Sequence, residues 1–208
     1  MLAGLVAAFL SAAAAVPPAA IPVDRPVVRV LVQTEAASVV DSRMLSDIFR
    51  TAREIWQPYA DVAFDLVGDG ERSSQSLHLV ITDRISAFSD GASLGWIEFV
   101  DGHPAKAITI SATAAKALMR ASRWGGLPKT VQRTFLVRAI ARAIAHELGH
   151  YLLASRQHTA RGLMRGQLTA DDIMQARRSS VRLDSAQVEK LRNSVLFARR
   201  DDVEERVR

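Results

Sequence analysis

The residues best suited to chemistry form one pentapeptide, His146-Glu147-Leu148-Gly149-His150. On a helix, residues four apart lie on the same face, so His146 and His150 can direct two imidazoles at one metal ion. Glu147 lies one turn before His150, where its carboxylate reaches a metal-bound water instead of the metal. Zinc lowers the pKa of such a water toward about 7, and the carboxylate can take its proton as the oxygen attacks a carbonyl. The pentapeptide predicts zinc-dependent hydrolysis; two histidines that only satisfy core hydrogen bonds are the alternative.

A third imidazole is available in His158, eight residues beyond His150. A helix continued without a break would place His158 about 12 Å along the axis from His150, too far for both to share an ion. The sequence therefore predicts that the helix ends between Leu153 and Gln157 and that the chain turns back. Three neutral imidazoles and one water make the open, four-coordinate arrangement of a catalytic zinc site.

The segment 146–164, HELGHYLLASRQHTARGLM, resembles the active-site segment of the metzincin zinc peptidases, and most of all their matrixin branch. The resemblance implies that His146, His150 and His158 are the metal ligands and that Glu147 is the catalytic base. It also implies that Met164 belongs to the methionine-containing turn beneath the metal. The implied function is a zinc endopeptidase that acts on proteins or peptides with one catalytic Zn²⁺ ion.

Two positions depart from the family pattern, which has a glycine three residues after the second histidine and the third ligand three residues later. This chain has Leu153 and Arg156 at those places, and arginine cannot serve as a zinc ligand here. If His158 is the ligand, the helix runs about two residues longer, without a glycine to ease the reversal. Zinc peptidases that take a distant carboxylate make Asp171 and Asp172 the alternative third ligands. His158 is preferred because a methionine follows it at a suitable distance.

The elements that must position these residues alternate between strands and helices. Short β-branched or alternating runs predict strands at 27–33, 62–67, 77–82, 94–100 and 107–111, with 94–100 near a sheet edge. Apolar spacing predicts an amphipathic helix over 41–58, the long helix over 129–155 and a last helix over 184–197. The expected fold class is α+β and metzincin-like. It has a mixed, mostly parallel sheet, an amphipathic helix, a long active-site helix and then a C-terminal helix.

Two faces are predicted for the long helix, and they determine where the histidines point. A buried side is predicted for residues that recur with the helical period, namely Phe135, Ala139, Ile140, Ala143, Ile144 and His150. An outward line is predicted for Arg138, Arg142, Gly149 and Arg156. Tyr151 is expected to point away from the metal face. The histidines should therefore face the protein and not the solvent.

The chain divides into three predicted parts. Residues 1–20 are interpreted as a signal peptide, or an N-terminal anchor, because 2–16 is apolar and Ala13-Ala14-Ala15 offers small residues for cleavage. No Lys or Arg precedes this apolar run. Residues 25–197 are expected to form a single zinc-peptidase-like domain, and 198–208 a charged tail. The expected location is secreted or periplasmic, at the cell envelope, with no stable membrane span after cleavage.

Composition narrows the classes of protein further. The 208-residue chain has no cysteine, which excludes disulfide scaffolds, thiolate zinc sites and cysteine nucleophiles. Its net charge is +5, and 120–165 holds nine basic residues against one acid, Glu147. Such a field could attract anionic partners, although a solvated helix face is the favoured explanation. No nucleic-acid partner is expected because no recognition motif accompanies the charge.

The remaining histidines are not expected to be catalytic. His78 alternates with apolar neighbours and predicts a packing role, and His103 lies in a turn sequence. A structural metal such as Ca²⁺ would need His103 with Asp90 or Asp101, an arrangement the sequence supports only weakly. Two function classes follow: a secreted zinc endopeptidase, and a non-catalytic zinc-containing protein that binds an anionic partner through a basic face. Glu147 favours the enzyme, because a binding module has no need for a carboxylate there.

Overall fold

The computed structural model describes residues 27–35, 39–67, 76–85, 93–175 and 181–194. The predicted signal segment 1–20, the charged tail 198–208 and Asp90 lie outside the described residues. No helix within the described ranges is long and apolar enough to cross a membrane. The elements, in chain order, are β1 (Val27–Thr34), α1 (Ser42–Trp56), β2 (Asp61–Leu66), β3 (Leu77–Thr82), β4 (Gly95–Val100), β5 (His103–Ser111), α2 (Ala112–Arg120), a 3₁₀ turn (Arg123–Gly126), α3 (Lys129–Leu152) and α4 (Ala170–Met174).

The five strands form one sheet in the order β2-β1-β3-β5-β4. Strands β1, β2, β3 and β5 are parallel, and β4 pairs antiparallel with β5 at one edge. The β4–β5 register shifts between Ile97 and Phe99, which marks an irregularity in the edge strand. This arrangement confirms the α+β class, the mostly parallel mixed sheet and the predicted edge position of β4.

Helix α1 forms where the sequence predicts an amphipathic helix. The Asp41 carboxylate accepts a hydrogen bond from the backbone N–H of Met44 at 2.6 Å, which caps the first turn. Its apolar face is buried, and Trp56 at its end is fully buried. The indole N–H of Trp56 donates to the carbonyl of Ala145 at 3.1 Å, so α1 is fastened to the part of α3 just before the histidines.

Helix α3 is the centre of the fold, and the predicted division of its faces is only half right. Phe135, Ile140 and Ile144 are fully buried as expected. Arg142 and Gly149, expected on an outward line, are buried as well. The reason is that α3 is covered by the sheet and α1 and also by α2, α4 and the loop after the helix. The helix ends at Leu152, three residues before the predicted Ser155.

From β5 onward, the elements differ in part from those that the sequence pattern predicts. Strand β5 begins at His103 instead of residue 107, so His103 is the first residue of a strand and directly follows the turn at Asp101 and Gly102. Helix α2 follows directly, with the Ser111 hydroxyl accepting from the N–H of Ala114 at 3.0 Å. A serine cap before an alanine-rich run was the available signal for α2. The C-terminal helix is described over 185–194, and its predicted last residues, 195–197, lie outside the described residues.

The basic residues of 120–165 do not form one solvated helix face. Arg133 pairs with Asp41 and Asp47 on α1 at 3.0 and 3.4 Å. Arg138 and Arg142 donate to backbone carbonyls of α4 at 2.8 and 3.1 Å. These three arginines therefore tie α3 to its neighbours.

Candidate metal centre and cleft

Three imidazoles converge at the C-terminal part of α3. The Nε2 atom of His150 lies 3.0 Å from that of His146 and 3.2 Å from that of His158, and the third pair is also 3.2 Å apart. A tetrahedral ion with Zn–N bonds of about 2.0–2.1 Å needs ligand nitrogens roughly 3.3–3.4 Å apart. The three nitrogens are therefore arranged closely enough to share one ion.

The opposite ring nitrogens show which tautomer is present. Nδ1 of His146 lies 2.9 Å from the carbonyl oxygen of Leu163, and Nδ1 of His150 lies 2.6 Å from that of Ser155. A carbonyl only accepts, so both Nδ1 atoms carry the proton and both Nε2 atoms keep a free lone pair. Burial lowers the pKa of His146 to about 4 and also lowers the pKa of His150. Neutral imidazoles with converging lone pairs fit a zinc ion.

The loop after α3 brings His158 back to the first two histidines. Leu153 ends the helix, and Ala154 takes the left-handed conformation with φ +42°. The chain therefore reverses at Ala154, without a glycine. The family pattern has its glycine one residue earlier, where this chain has Leu153. Gly166 lies against the His158 ring, and a β-carbon added there would be 3.0 Å from the ring carbon Cγ. The lack of a side chain at Gly166 leaves room for His158.

Met164 is fully buried. It occupies the space beside Gly149, because a β-carbon on that glycine would overlap the methionine sulfur. The Met164 carbonyl accepts a hydrogen bond from the N–H of Thr159 at 2.9 Å, and the N–H of Leu163 donates to the backbone carbonyl of Arg182 at 2.9 Å. These bonds hold the turn that presents the Leu163 carbonyl to His146.

The two alternative carboxylates are engaged elsewhere. Asp172 accepts from the Thr169 N–H at 3.0 Å and pairs with Arg165 at 3.1 Å, so it caps α4. Asp171 pairs with Arg123 and accepts from the Trp124 indole. Within the described ranges, His146, His150 and His158 are the only group of three or more His, Cys, Asp or Glu residues placed to hold an ion. The group does not include His103 or Asp101.

Glu147 points toward the edge strand. Burial leaves its side chain only 7% exposed and raises its pKa to about 8. Gly95, the first residue of β4, faces it, and a β-carbon there would lie 3.1 Å from Cγ of Glu147 and 2.5 Å from a methyl of Ile110. A glycine is therefore needed at the start of β4 to leave room for the carboxylate chain.

The three histidines and Glu147 line one wall of a cleft of about 1010 Å³. Strand β4 also lines it, through Gly95, Trp96, Ile97 and Phe99. The apolar side chains of its lining are Leu94, Ala114, Ala117, Leu118, Ala121, Ala143 and Leu168. The arrangement offers a metal position, a nearby carboxylate and an exposed strand edge in one space.

Sequence reasoning missed three glycines and one arginine that shape this site. Gly95, Gly149 and Gly166 face Glu147, Met164 and His158 respectively. The available signal for Gly95 was a glycine inside a predicted strand, which often marks a close approach by another part of the chain. Arg156, predicted on the outward line of the long helix and excluded as a ligand, lines the cleft.

Comparisons with known proteins identify solved structures that have a similar fold. No family model and no curated protein matches the chain by sequence. Among solved structures, archaemetzincin from Methanopyrus kandleri matches with a TM-score of 0.54 and 14% identity, over 85% of this chain and 99% of that one. Metalloproteinase-II from Bacteroides fragilis matches with a TM-score of 0.50 and 9% identity. That match covers 83% of this chain but only 55% of the other.

The chain therefore has the fold of these metallopeptidases, with a group of three histidines on its long helix and the following loop.

Proposed function

We propose that this protein is an exported zinc endopeptidase of the metzincin type, most similar to the matrixin branch. The observation that carries the proposal is the convergence of three Nε2 atoms within 3.2 Å beside the buried Glu147, in an open cleft. His146, His150 and His158 would hold one ion per chain.

When bound, the ion supplies Lewis-acid chemistry: it lowers the pKa of a water toward about 7, polarises a peptide carbonyl and favours the ionised form of Glu147. Glu147 then accepts a proton from the attacking water and passes it to the leaving amine. Burial of Glu147 excludes bulk water from this carboxylate, and Gly95 leaves the space in which it can move. Met164 supports the site from below, as the methionine of the turn.

Strand β4 offers the substrate a partner. Among the described strands it pairs only with β5, and four of its residues line the cleft, namely Gly95, Trp96, Ile97 and Phe99. An extended peptide can add to such an edge through backbone hydrogen bonds. This binding mode suits an endopeptidase, because it recognises the backbone on both sides of a scissile bond.

Metal content tests the first half of the proposal. Purified protein should contain one zinc per chain by mass spectrometry, and His146→Ala and His150→Ala should each abolish binding. Unchanged metal content in both variants would refute the metal site. For export, we expect protein recovered from the cell envelope or medium to lack about the first 20 residues, as N-terminal sequencing would show.

Glu147→Gln tests the second half, because it keeps size and hydrogen bonding but removes the base. Hydrolysis of casein or a peptide library should fall by about 10²–10⁴. Zinc content should stay at the wild-type level, because no ligand is lost. Glu98→Gln is the matched control, since Glu98 lies exposed on β4 and does not line the cleft. Equal hydrolysis by wild type and Glu147→Gln would refute the role of Glu147 as the base, and no hydrolysis by wild type would favour a non-catalytic zinc-binding protein.

A further inference from the structure

Arg156 lies on the wall of the cleft, where it is held in place by the edge strand. Its Nη2 donates to the carbonyl of Phe99 at 3.0 Å, and its guanidinium carbon lies 4.9 Å from the centre of the Phe99 ring. These two contacts fix the guanidinium but do not neutralise it. Within the described ranges no carboxylate pairs with Arg156, whereas Arg50, Arg123, Arg133 and Arg165 each pair with at least one.

The charge balance of the cleft makes this arginine unusual. Its lining includes two cations, Arg156 and Arg165, and one acidic residue, Glu147. Arg165 is paired with Asp172 at 3.1 Å, and Glu147 is buried. Among the described side chains that line the cleft, the uncompensated charge is therefore that of Arg156, whose Nε and Nη1 donors are not used by Phe99.

The contact between Arg156 and β4 determines where along the cleft such a molecule would be bound. Glu147 packs against Gly95, and Arg156 packs on Phe99, four residues further along the strand. Four strand residues span about 13 Å, which is about three or four residues of an extended peptide.

We propose that Arg156 determines specificity, by binding a carboxylate of the substrate peptide at the Phe99 end of β4. This inference rests on the proposed peptidase function and names its substrate class, peptides with an acidic group about three or four residues from the cleaved bond. The carboxylate can come from an aspartate or glutamate side chain or from the peptide C-terminus. A planar guanidinium fixed by stacking is well suited to bind either one.

Kinetics on matched peptides test the inference. A set of quenched fluorescent peptides would carry Glu or Gln at one position at a time, on both sides of the cleaved bond. Wild type should prefer Glu at one position near the Phe99 end by about threefold to tenfold in kcat/KM, as expected of a charge pair on a cleft wall. Arg156→Gln should remove that preference, and Arg156→Lys should retain part of it.

Arg161→Gln is the matched control, because Arg161 is an exposed arginine of the same loop that does not line the cleft. It should keep the Glu preference. Equal zinc content in both Gln variants would show that Arg156→Gln has not displaced His158. Loss of the preference in both variants would mean a general effect of net charge and would overturn the proposal, as would a wild type that cleaves Glu and Gln peptides equally.

Binding distinguishes this inference from the peptidase proposal. In the Glu147→Gln background, fluorescence anisotropy should show tighter binding of the Glu peptide than of the Gln peptide, and the added Arg156→Gln change should abolish the difference. If wild type cleaves no peptide but this difference persists, the peptidase function fails and the acidic-peptide site stands. Peptides with a free or an amidated C-terminus, both without acidic side chains, separate the two sources of carboxylate. Binding that is the same for all of these peptides would refute the site.

Discussion

Replacing Gly149 with alanine tests how tightly Met164 is packed against helix α3. An added β-carbon would overlap the Met164 sulfur, would lie 3.1 Å from its terminal methyl and would lie 3.7 Å from the Trp56 ring. Met164 and Trp56 are both fully buried. The methionine can therefore move aside only by disturbing other core residues.

Two opposing effects set the size of the change. Alanine is a better helix former than glycine by about 1 kcal/mol in a helix interior. Overpacking a buried site costs about 1–3 kcal/mol. We therefore expect Gly149→Ala to lower the free energy of unfolding by about 0–2 kcal/mol, the difference between the two effects.

The Met164→Ala background isolates the overlap, because it removes the sulfur that the new β-carbon would meet. There, Gly149→Ala should raise the free energy of unfolding by about 1 kcal/mol, the helix-propensity term alone. The coupling energy between the two substitutions should be about 1–3 kcal/mol. Urea unfolding followed by circular dichroism measures all four proteins of the cycle.

Gly126→Ala is the matched control, because nothing lies within 4 Å of a β-carbon added at Gly126. Its effect should stay within about 0.5 kcal/mol. A coupling energy near zero between Gly149→Ala and Met164→Ala would refute the packing argument. Gly149→Ala should also weaken zinc binding, because the turn of Met164 presents the Leu163 carbonyl to His146.

Three further predictions concern the ligands, acid stability and the base. His158→Ala should strongly reduce zinc content by mass spectrometry, whereas Asp172→Ala should leave it nearly intact; the reverse result would make the carboxylate the third ligand. Two contacts hold the pKa of Asp41 below its ordinary value of 3.8: first the hydrogen bond from the N–H of Met44, and then Arg133. The stabilisation that this carboxylate contributes is therefore present above pH 3.8 and is lost as the pH falls through the folded-state pKa. Asp41→Asn should therefore be less stable than wild type in urea at pH 6, and the gap should close in stronger acid; a constant gap would contradict this. Gly95→Ala should lower kcat with unchanged zinc content, because the new methyl group displaces Glu147; an unchanged kcat would show that the strand adjusts at no cost to the base.

The sequence by itself predicted the local part of the site. The four-residue interval between His146 and His150 places both rings on one side of any helix, whatever surrounds it. The apolar spacing of α1 and the strand pattern of β4 are equally local, and the structure confirms a helix and a strand there. The need for a turn before His158 also followed from helix rise alone.

Tertiary structure decided what depends on contacts between distant parts of the chain. A helical period shows which residues share a face, but it does not show how many faces are covered. Arg142 is buried because α4 lies on it, and Gly149 is buried because Met164 fills the space beside it. The return of His158 depends on Ala154 in a left-handed conformation and on a turn bonded to Arg182, neither of which a local pattern contains. Arg156 likewise acquires its place only when the loop after α3 meets Phe99 on the edge strand, because its contacts join residues 57 positions apart.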